Sequence, residues 1–234
     1  TPGKIVCHLQ TLNRRFRVGR QQDAHELLRY LMEDLQNMDL KRKHTTAIHQ
    51  IFGGYLASQV KCHVCGHISN TFDAFLDISL QLTQASSVVI VKALRNFTRA
   101  EVLDGGNVYK CSRCKKNVAA SKQFRIYRPP GVLCLHLKRF RFTAFGHQAK
   151  INKHVRFPAN GLSLQPYMHI TTTYLGKISP KYSLTAMIVH HGASAHVGHY
   201  TAFVSRIRDD GDGGGGGGGD DDDDRAASVH IEDI

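Results

Sequence analysis

Residues 61–66 read KCHVCG, and its two cysteines, Cys62 and Cys65, have the C-x-x-C spacing of a metal-binding knuckle. A second pair, Cys111 and Cys114 in CSRC, follows after 45 intervening residues. Two such knuckles supply four thiolates, which is the donor set of a tetrahedral Zn²⁺ site. A closed four-thiolate shell leaves no position for water, so the predicted zinc is structural. The long intervening segment predicts one zinc that clamps two ends of a β-rich subdomain.

Two other uses of these cysteines stay open: a pair of disulfides, or a redox dithiol. Both are less favoured, because a redox C-x-x-C needs no matching partner and nothing in the sequence indicates an oxidising compartment. The N-terminus TPGKIVCHLQ lacks the apolar stretch of a secretory signal, and no run of about 18 apolar residues indicates a membrane span. We therefore expect an intracellular protein with no membrane partner.

The length and the hydrophobic content limit the architecture. A chain of 234 residues that is 41% hydrophobic can form one sizeable core or two small ones. The apolar residues of segment 21–38 form one stripe along a helix, and residues 89–97 predict a second helix. Short β-like segments are predicted at 52–60, 73–82, 123–127, 132–140, 184–191 and 199–206. This mixture predicts an α+β fold.

The charge of the chain is divided between two regions. Its net charge of +12 includes residues 209–234, which hold ten acidic residues and one basic one, so residues 1–208 carry 30 Lys and Arg against 9 Asp and Glu, a net of +21. Such a field favours anionic partners, although no nucleic-acid-binding motif accompanies it. A basic zinc-containing adaptor that binds nucleic acid is therefore one alternative function. The stretch DDGDGGGGGGGDDDDD at 209–224 predicts a flexible acidic tail or insertion.

The segments 184–191 and 199–206 predict a β-hairpin joined by GASAHVG, with His199 at the start of its second strand. A strand fixes the backbone of such a histidine while leaving its ring open to a cleft, which suits a general base. The chain contains 15 histidines, however, and a surface or packing role is the alternative.

Six ordered elements resemble the ubiquitin-specific protease (USP) family of cysteine deubiquitinases over about residues 10–206. They are the paired C-x-x-C motifs together with GRQQDAHELLRYL, IFGGYLASQVKC, DAFLDISLQL, PPGVLCLHLKRF and SLTAMIVHHGASAHVGHYTAFV. The resemblance implies a papain-like architecture of thumb, palm and zinc-containing fingers. On that basis we expect a partial catalytic domain at 1–208, with part of the thumb at 1–52, the fingers at 53–124, the palm at 125–208 and an acidic tail at 209–234.

The resemblance also implies roles for individual residues. His199, within the triplet Gly198, His199 and Tyr200, is similar to the catalytic base of the family. Asp23 matches a position that holds the C-terminal tail of ubiquitin, and Gly198 and Tyr200 are expected at the ubiquitin-binding site beside it. The loop at 192–197 resembles one that lies over that tail. For Asp23 the alternative role is a helix N-terminal charge that complements the dipole.

The sequence lacks the other members of a thiol-protease site. Cys134 lies in the apolar stretch VLCLHLKRF, which favours packing, and Cys7 lacks the Asn-x-Gly-Asn-Thr-Cys segment that precedes the nucleophile of the family. No orienting Asp or Asn in an aromatic-containing strand follows His199. We therefore expect a catalytic domain that is incomplete at both ends and inactive as it stands. A ubiquitin-binding pseudoenzyme is a further alternative.

The resulting functional prediction is a ubiquitinyl hydrolase. The parent protein is expected to cleave the isopeptide bond at the C-terminal glycine of ubiquitin by a thiol-dependent mechanism. Ubiquitin and ubiquitinated proteins are the expected partners of a monomer that resides in the nucleus or nucleolus.

Overall fold

The computed structural model describes residues 9–17, 19–40, 46–82, 88–142, 148–170, 180–194 and 197–205. The predictions for Cys7 and for residues 209–234 lie outside these ranges. Among the residues that are described, none of the helices combines the length and the hydrophobicity needed to cross a lipid bilayer.

The predicted helices are confirmed, with small shifts of their ends. In the described residues the helices are α1 (Ala24–Leu40), α2 (Ala47–Phe52) and α3 (Ile90–Phe97), besides a helical segment at 9–12, and a 3₁₀ turn spans Gln165–Tyr167. Helix α2 was not predicted, and its last residue, Phe52, falls at the start of the β-like segment predicted at 52–60. Helix α2 forms there because the Thr46 side chain accepts a hydrogen bond from the His49 N–H at 3.0 Å, which caps its first turn.

The strands are mostly short and are grouped into one four-stranded sheet and several two-stranded pairs. In chain order they are β1 (Gly54–Cys62), β2 (Ile68–Phe75), β3 (Ile78–Gln81), β4 (Val88–Val89), β5 (Glu101–Leu103), β6 (Tyr109–Lys110), β7 (Asn117–Val118), β8 (Ala120–Arg128), β9 (Leu135–Lys138), β10 (Phe140–Phe142), β11 (Gln148–Lys150), β12 (Val155–Arg156), β13 (Leu162–Ser163), β14 (Lys181–Tyr182), β15 (Ala186–Ser194) and β16 (Val197–Val204).

The largest sheet has the strand order β2-β1-β8-β5 and is antiparallel throughout. Its central strands β1 and β8 are both nine residues long, and their register pairs Cys62 with Ala120 at the end of β1. The two long strands therefore carry the first cysteine pair to the far end of the sheet. This is the β-rich subdomain that the spacing of the cysteines predicts.

A second structural unit surrounds the parallel pair β3 and β9, in which Ile78 pairs with Leu135. Helix α3 packs against this pair because one face of the helix is apolar. The buried residues of this core are Ile78, Leu80, Ile90, Ala93, Leu94, Ile126, Leu164, Tyr167 and Met168. Ile126 comes from β8, so this core is continuous with the four-stranded sheet.

Two predicted strands are wrong in their extent. The predicted strand at 73–82 is interrupted, because β2 ends at Phe75 and β3 begins at Ile78. The predicted strand at 132–140 begins only at Leu135 and is interrupted at Arg139, whose guanidinium donates to the carbonyls of Ile151 and Lys153. Hydrophobicity alone does not locate such breaks, because tertiary hydrogen bonds produce them.

The hairpin of β15 and β16 is confirmed, and it is longer than predicted. The strands extend to Ser194 and resume at Val197, so most of the predicted loop GASAHVG is part of the ladder. His199 is consequently the third residue of β16 rather than its first.

Candidate functional site

The four cysteines of the two C-x-x-C pairs meet at one point. Their sulfur atoms all lie within 4.8 Å of one another, with 3.9 Å between the sulfurs of Cys62 and Cys114 and 3.8 Å between those of Cys65 and Cys111. Four sulfurs at about 2.3 Å from a tetrahedral Zn²⁺ are separated by about 3.8 Å. The arrangement can therefore hold a metal ion without rearrangement, and its donor set is the one that structural zinc prefers.

The first half of this cluster, which we call knuckle 1, comprises residues 61–67. The Cys62 N–H donates to the His67 carbonyl at 2.9 Å, and the Gly66 N–H donates to the Cys62 carbonyl at 3.0 Å. The Cys65 N–H points at the Cys62 sulfur at 3.5 Å. Gly66 has a φ of +68°, a left-handed conformation that glycine adopts without strain. These contacts hold both sulfurs on the same side of a tight turn.

The second half, knuckle 2, comprises residues 110–116 and repeats the same pattern. The Cys111 N–H donates to the Lys116 carbonyl at 3.0 Å, and the Lys115 N–H donates to the Cys111 carbonyl at 2.9 Å. The Cys114 N–H points at the Cys111 sulfur at 3.4 Å. Lys115 occupies the position of Gly66 in knuckle 1 and has a φ of +58°. The two knuckles thus have equivalent backbones but differ in the residue at the left-handed position.

The electrostatics of the cluster favour a bound cation. The hydrogen bond from the Cys65 N–H lowers the pKa of Cys62 to about 7, against the effect of burial. The pKa of Cys114 is raised to about 12, first by its hydrogen bond with the Cys65 side chain and then by burial. Four thiolates this close repel one another, and a bound divalent cation removes that repulsion by deprotonating and coordinating all four.

The described cysteines, including all four of the cluster, are free thiols. The two closest sulfur pairs are each formed by one cysteine from either knuckle, and their sulfur–sulfur distances are nearly twice the length of an S–S bond. This arrangement favours the metal over the two alternatives, disulfides and a redox dithiol.

His199 lies on an exposed face of the β15–β16 hairpin, directly across from His191. Its Nδ1 lies 2.8 Å from the Gly198 carbonyl oxygen. A carbonyl can only accept a hydrogen bond, so Nδ1 must carry the proton in this contact. The lone pair of the neutral ring is then on Nε2, which is the atom that a general base would use.

Gly198 is required by packing. A Cβ at this position would collide with the His190 ring and with the His191 carbonyl on the neighbouring strand. The His190 ring lies between Phe140 and Tyr200, with ring centroids 5.8 and 4.8 Å away. Burial lowers the pKa of His190, which favours the neutral ring. The glycine that precedes His199 thus leaves room for the His190 ring, which packs edge-on against Phe140 and at a tilt against Tyr200.

Lys150 on β11 fixes the turn end of this hairpin. Its ammonium donates to the carbonyls of His190 at 2.9 Å and Gly192 at 2.6 Å. Gly192 has a φ of +152°, and a Cβ there would collide with the Val197 carbonyl. The lysine and the glycine together hold the backbone bend at the end of β15.

The N-terminus of α1 adjoins the same hairpin. Asp23 is the N-cap of the helix, since its Oδ1 accepts hydrogen bonds from the N–H groups of His25 at 2.7 Å and Glu26 at 3.1 Å. Burial raises the pKa of Tyr200 and the Asp23 carboxylate raises it further, whereas a hydrogen bond from the Ala24 N–H acts in the opposite direction. The N-terminus of α1 is therefore close enough to influence the ionisation of Tyr200, which follows His199 on β16.

Comparison with known proteins shows the family of the chain. Residues 1–211 match the family described as ubiquitin carboxyl-terminal hydrolase. The chain belongs to this family. A human ubiquitin carboxyl-terminal hydrolase 42 is 42% identical over 212 residues, which cover 87% of this chain and 15% of the relative. A probable ubiquitin carboxyl-terminal hydrolase 16 of Schizosaccharomyces pombe is 39% identical over 86% of this chain and 44% of its own length.

Solved structures agree with this assignment. The SAGA Ubp8/Sgf11/Sus1/Sgf73 DUB module bound to ubiquitin aldehyde contains a chain that superposes with a TM-score of 0.75 at 27% identity, covering 88% of this chain and 47% of that one. A second structure of the SAGA DUB module, bound to monoubiquitin, gives a TM-score of 0.74 at 27% identity, covering 87% of this chain and 46% of that one. The predicted fold class, α+β of the papain-like ubiquitin-specific protease type, is confirmed. The chain spans less than half the length of each of these relatives.

Within this ubiquitin carboxyl-terminal hydrolase chain, Cys134 has the surroundings of a packing residue. It is partly buried just before β9, and burial followed by the Asp77 carboxylate raises its pKa. A raised pKa disfavours the thiolate that a nucleophile needs. The interpretation of Cys134 as a structural residue therefore fits its environment.

One polar network was not singled out by sequence reasoning. His25 Nε2 lies 3.2 Å from an oxygen of Asp77, which also accepts from the Ser79 hydroxyl at 3.4 Å, and Ser79 in turn contacts Nδ1 of His136 at 3.0 Å. The His25 and His136 rings are stacked with centroids 3.6 Å apart and planes 7° from parallel. Both histidines lie in the motifs quoted for the family resemblance, QQDAHE and CLHLKRF, but their proximity depends on the tertiary fold.

The same His25, Asp77 and His136 donors are close enough to suggest a second metal site. The stacking argues against it. Imidazole lone pairs lie in the ring planes, so two parallel rings 3.6 Å apart cannot both direct a lone pair at one ion. The network is better explained as a hydrogen-bonded junction that ties the start of α1 to β3 and β9.

Proposed function

We propose that this chain is the ubiquitin-gripping and base-supplying part of a cysteine deubiquitinase. The observation that carries the proposal is the family match over residues 1–211, a range that includes the exposed His199. The reaction is hydrolysis of the isopeptide bond that follows the C-terminal glycine of ubiquitin. The substrate tail would lie between Asp23 and the β15–β16 hairpin.

In this mechanism Nε2 of His199 accepts the proton of a cysteine thiol, and the thiolate attacks the carbonyl of the terminal glycine. The tetrahedral intermediate expels the lysine amine, which takes the proton back from the imidazolium. Water then attacks the resulting thioester, with His199 again acting as the base, and releases the ubiquitin carboxylate and the thiol. The hydrogen bond from Nδ1 to the Gly198 carbonyl supports this role, because it keeps the lone pair on Nε2.

We propose that the nucleophile belongs to a segment outside residues 1–234. The four knuckle cysteines meet as a metal-ligand set, and Cys134 is partly buried with a raised pKa. Cys7 lies outside the described residues, and its sequence context lacks the nucleophile motif of the family. The 234-residue chain is accordingly expected to bind ubiquitin and to leave it uncleaved.

The metal that we propose for the four cysteines is Zn²⁺ in a structural role. The sulfur spacing matches a tetrahedral four-thiolate shell, and such a shell has no open position for substrate or water. Residues Cys62, Cys65, Cys111 and Cys114 would hold the ion. Its contribution is to fix the ends of β1, β6 and β7 relative to one another.

Ubiquitin binding is proposed to use Asp23 directly, and Gly198 and Tyr200 through the shape of the site. Asp23 uses Oδ1 to cap α1, and its Oδ2 accepts no hydrogen bond from the described residues, which leaves a carboxylate oxygen for the basic ubiquitin tail. Gly198 admits the His190 ring, and Tyr200 joins the hairpin to the helix. Two of these three residues are thus proposed to position the site rather than to contact ubiquitin.

The test compares hydrolysis of a fluorogenic ubiquitin substrate by the 234-residue chain and by the chain extended with its upstream coding sequence. We expect turnover only from the extended protein, and a loss of about 10³-fold or more in His199→Ala. His191→Ala is the matched control, since His191 lies across from His199 and contacts Thr201 at 2.7 Å. Turnover by the 234-residue chain that is lost in Cys7→Ser would overturn the assignment of the nucleophile. Ubiquitin binding without turnover by the extended protein would indicate a pseudoenzyme.

A further inference from the structure

The two knuckles differ in charge although their backbones match. Knuckle 1 reads KCHVCGH and contains one lysine, whereas knuckle 2 reads KCSRCKK and contains four cations with no acidic residue. All four side chains are exposed: Lys110, Arg113, Lys115 and Lys116. A row of seven residues thus presents four positive charges at the tip of the subdomain.

These four cations have no partners among the described residues, because none of their head groups forms an ion pair or a side-chain hydrogen bond there. Some cations elsewhere in the described residues do have such partners. Lys122 lies 3.9 Å from Glu101 and over the Phe124 ring, and Arg125 donates to the Pro166 carbonyl at 2.9 Å. Intramolecular pairing therefore accounts for cations on β8 but not for those of knuckle 2.

The backbone of knuckle 2 also favours a functional role for one of the four cations, Lys115. Lys115 has a φ of +58°, a conformation that is strained for a residue with a Cβ, and knuckle 1 has glycine at the equivalent position with a φ of +68°. Glycine would relieve this strain. Strained residues that persist are a reason to look for function, and what lysine adds at this position is an exposed ammonium group.

Neutralisation of the negative charge of a metal–thiolate cluster does not account for the unequal number of cations on the two knuckles. Zn²⁺ with four thiolates has a formal charge of −2, which nearby cations stabilise. Both knuckles contribute two sulfurs to that charge, yet the cations are concentrated on one of them. An external anion that approaches knuckle 2 explains the concentration, whereas the cluster itself does not.

We propose that knuckle 2 is a docking surface for the phosphodiester backbone of nucleic acid. The four cations lie within seven residues, so a partner with closely spaced negative charges can pair with more of them at once. Duplex DNA carries one negative charge per about 1.7 Å of axis, about twice the density of a fully acidic extended peptide at about 3.4 Å per residue. The arginine adds bidentate phosphate contacts, and no base readout is implied because the contacts are purely electrostatic.

The experiment measures binding of a short fluorescein-labelled DNA duplex to the full 234-residue chain by anisotropy across a salt series. The variant Arg113→Gln/Lys115→Gln/Lys116→Gln removes three charges from knuckle 2. The control Lys92→Gln/Arg99→Gln/Arg156→Gln removes three exposed charges elsewhere. The slope of log K against log salt is negative, and we expect its magnitude to fall by about 2.7 in the knuckle variant, at about 0.9 per phosphate contact, and by less than about 1 in the control.

Zinc content, measured on each protein, shows whether the knuckle remains folded. If the triple variant loses zinc, the single variant Lys115→Gly is used instead, because this change gives knuckle 2 the residue of knuckle 1 and relieves the backbone strain. The magnitude of the salt slope is then expected to fall by about 0.9. Equal losses in the knuckle and control variants, or no measurable duplex binding at low salt, would overturn the proposal. So would displacement of the duplex by a peptide of sequence DDGDGGGGGGGDDDDD at matched concentration, which would assign the surface to acidic protein segments instead.

Discussion

The cysteine cluster and the histidine hairpin represent two ways in which a fold builds a site. All four donors of the cluster lie in described residues, their sulfurs are within 4.8 Å of one another, and Cys62 and Cys111 are fully buried. His199, by contrast, is exposed, and the one hydrogen bond of its ring in the described part of the chain is to the carbonyl of its neighbour. The comparison teaches that the proposed structural centre is completed by two local turns, whereas the proposed catalytic centre depends on segments distant in sequence. Stability should therefore depend on the first site and chemistry on the second.

The largest effect is expected from breaking the cluster with Cys111→Ser. Zinc-finger peptides gain roughly 10–16 kcal/mol from their metal at neutral pH, so the loss of one of four thiolates should release the ion and unfold the end of the subdomain. Zinc content and thermal unfolding measure this loss. Cys134→Ser is the control and should keep a full zinc complement, and a Cys111→Ser protein that also kept it would contradict the assignment of the cluster.

A smaller effect is expected on the hairpin from Gly198→Ala. The added Cβ collides with the His190 ring and the His191 carbonyl, and overpacking of this kind costs about 1–3 kcal/mol in the free energy of unfolding. Urea denaturation measures it. Gly106→Ala is the matched control, because nothing lies within 4 Å of a Cβ at that position. Equal stability of the two variants would show that the His190 packing is not as tight as described.

The two roles of Asp23 can be separated by two substitutions. Asp23→Ala removes the helix N-cap and should cost about 1 kcal/mol in stability, whereas Asp23→Asn keeps a capping oxygen and should cost far less. Both remove the carboxylate proposed to bind the ubiquitin tail. A charge-assisted hydrogen bond contributes about 1.5–3 kcal/mol, so each variant should weaken ubiquitin binding about tenfold or more. Full affinity in Asp23→Asn would leave only the structural role.

The smallest effect on stability is expected from His199→Ala. The side chain is exposed and is not part of the buried core, so the free energy of unfolding should change by less than about 0.5 kcal/mol. Chemical denaturation of the variant beside the parent chain tests this value. A large destabilisation would mean that His199 has a packing role, and the contrast between the two sites would no longer hold.

How much of the structure the sequence predicts depends on the range of the interactions involved. The C-x-x-C spacing predicted the cluster, and the apolar periodicity predicted α1, α3 and the hairpin, because these are local patterns. The strand breaks at Leu76 and Arg139 were missed, as was the junction of His25, Asp77 and His136, because they arise from contacts between segments far apart in the chain. The structural reason for Gly198 was also inaccessible, since it depends on a ring that belongs to the neighbouring strand.

In the proposed function, the ubiquitin tail lies between the N-terminus of α1 and the hairpin of His199. The most direct measurement is an NMR titration of ¹⁵N-labelled ubiquitin with the 234-residue chain. We predict that the amide signals of the ubiquitin C-terminal tail shift or broaden, and that Asp23→Asn strongly reduces this response. Unchanged tail signals at concentrations where the rest of ubiquitin responds would contradict it.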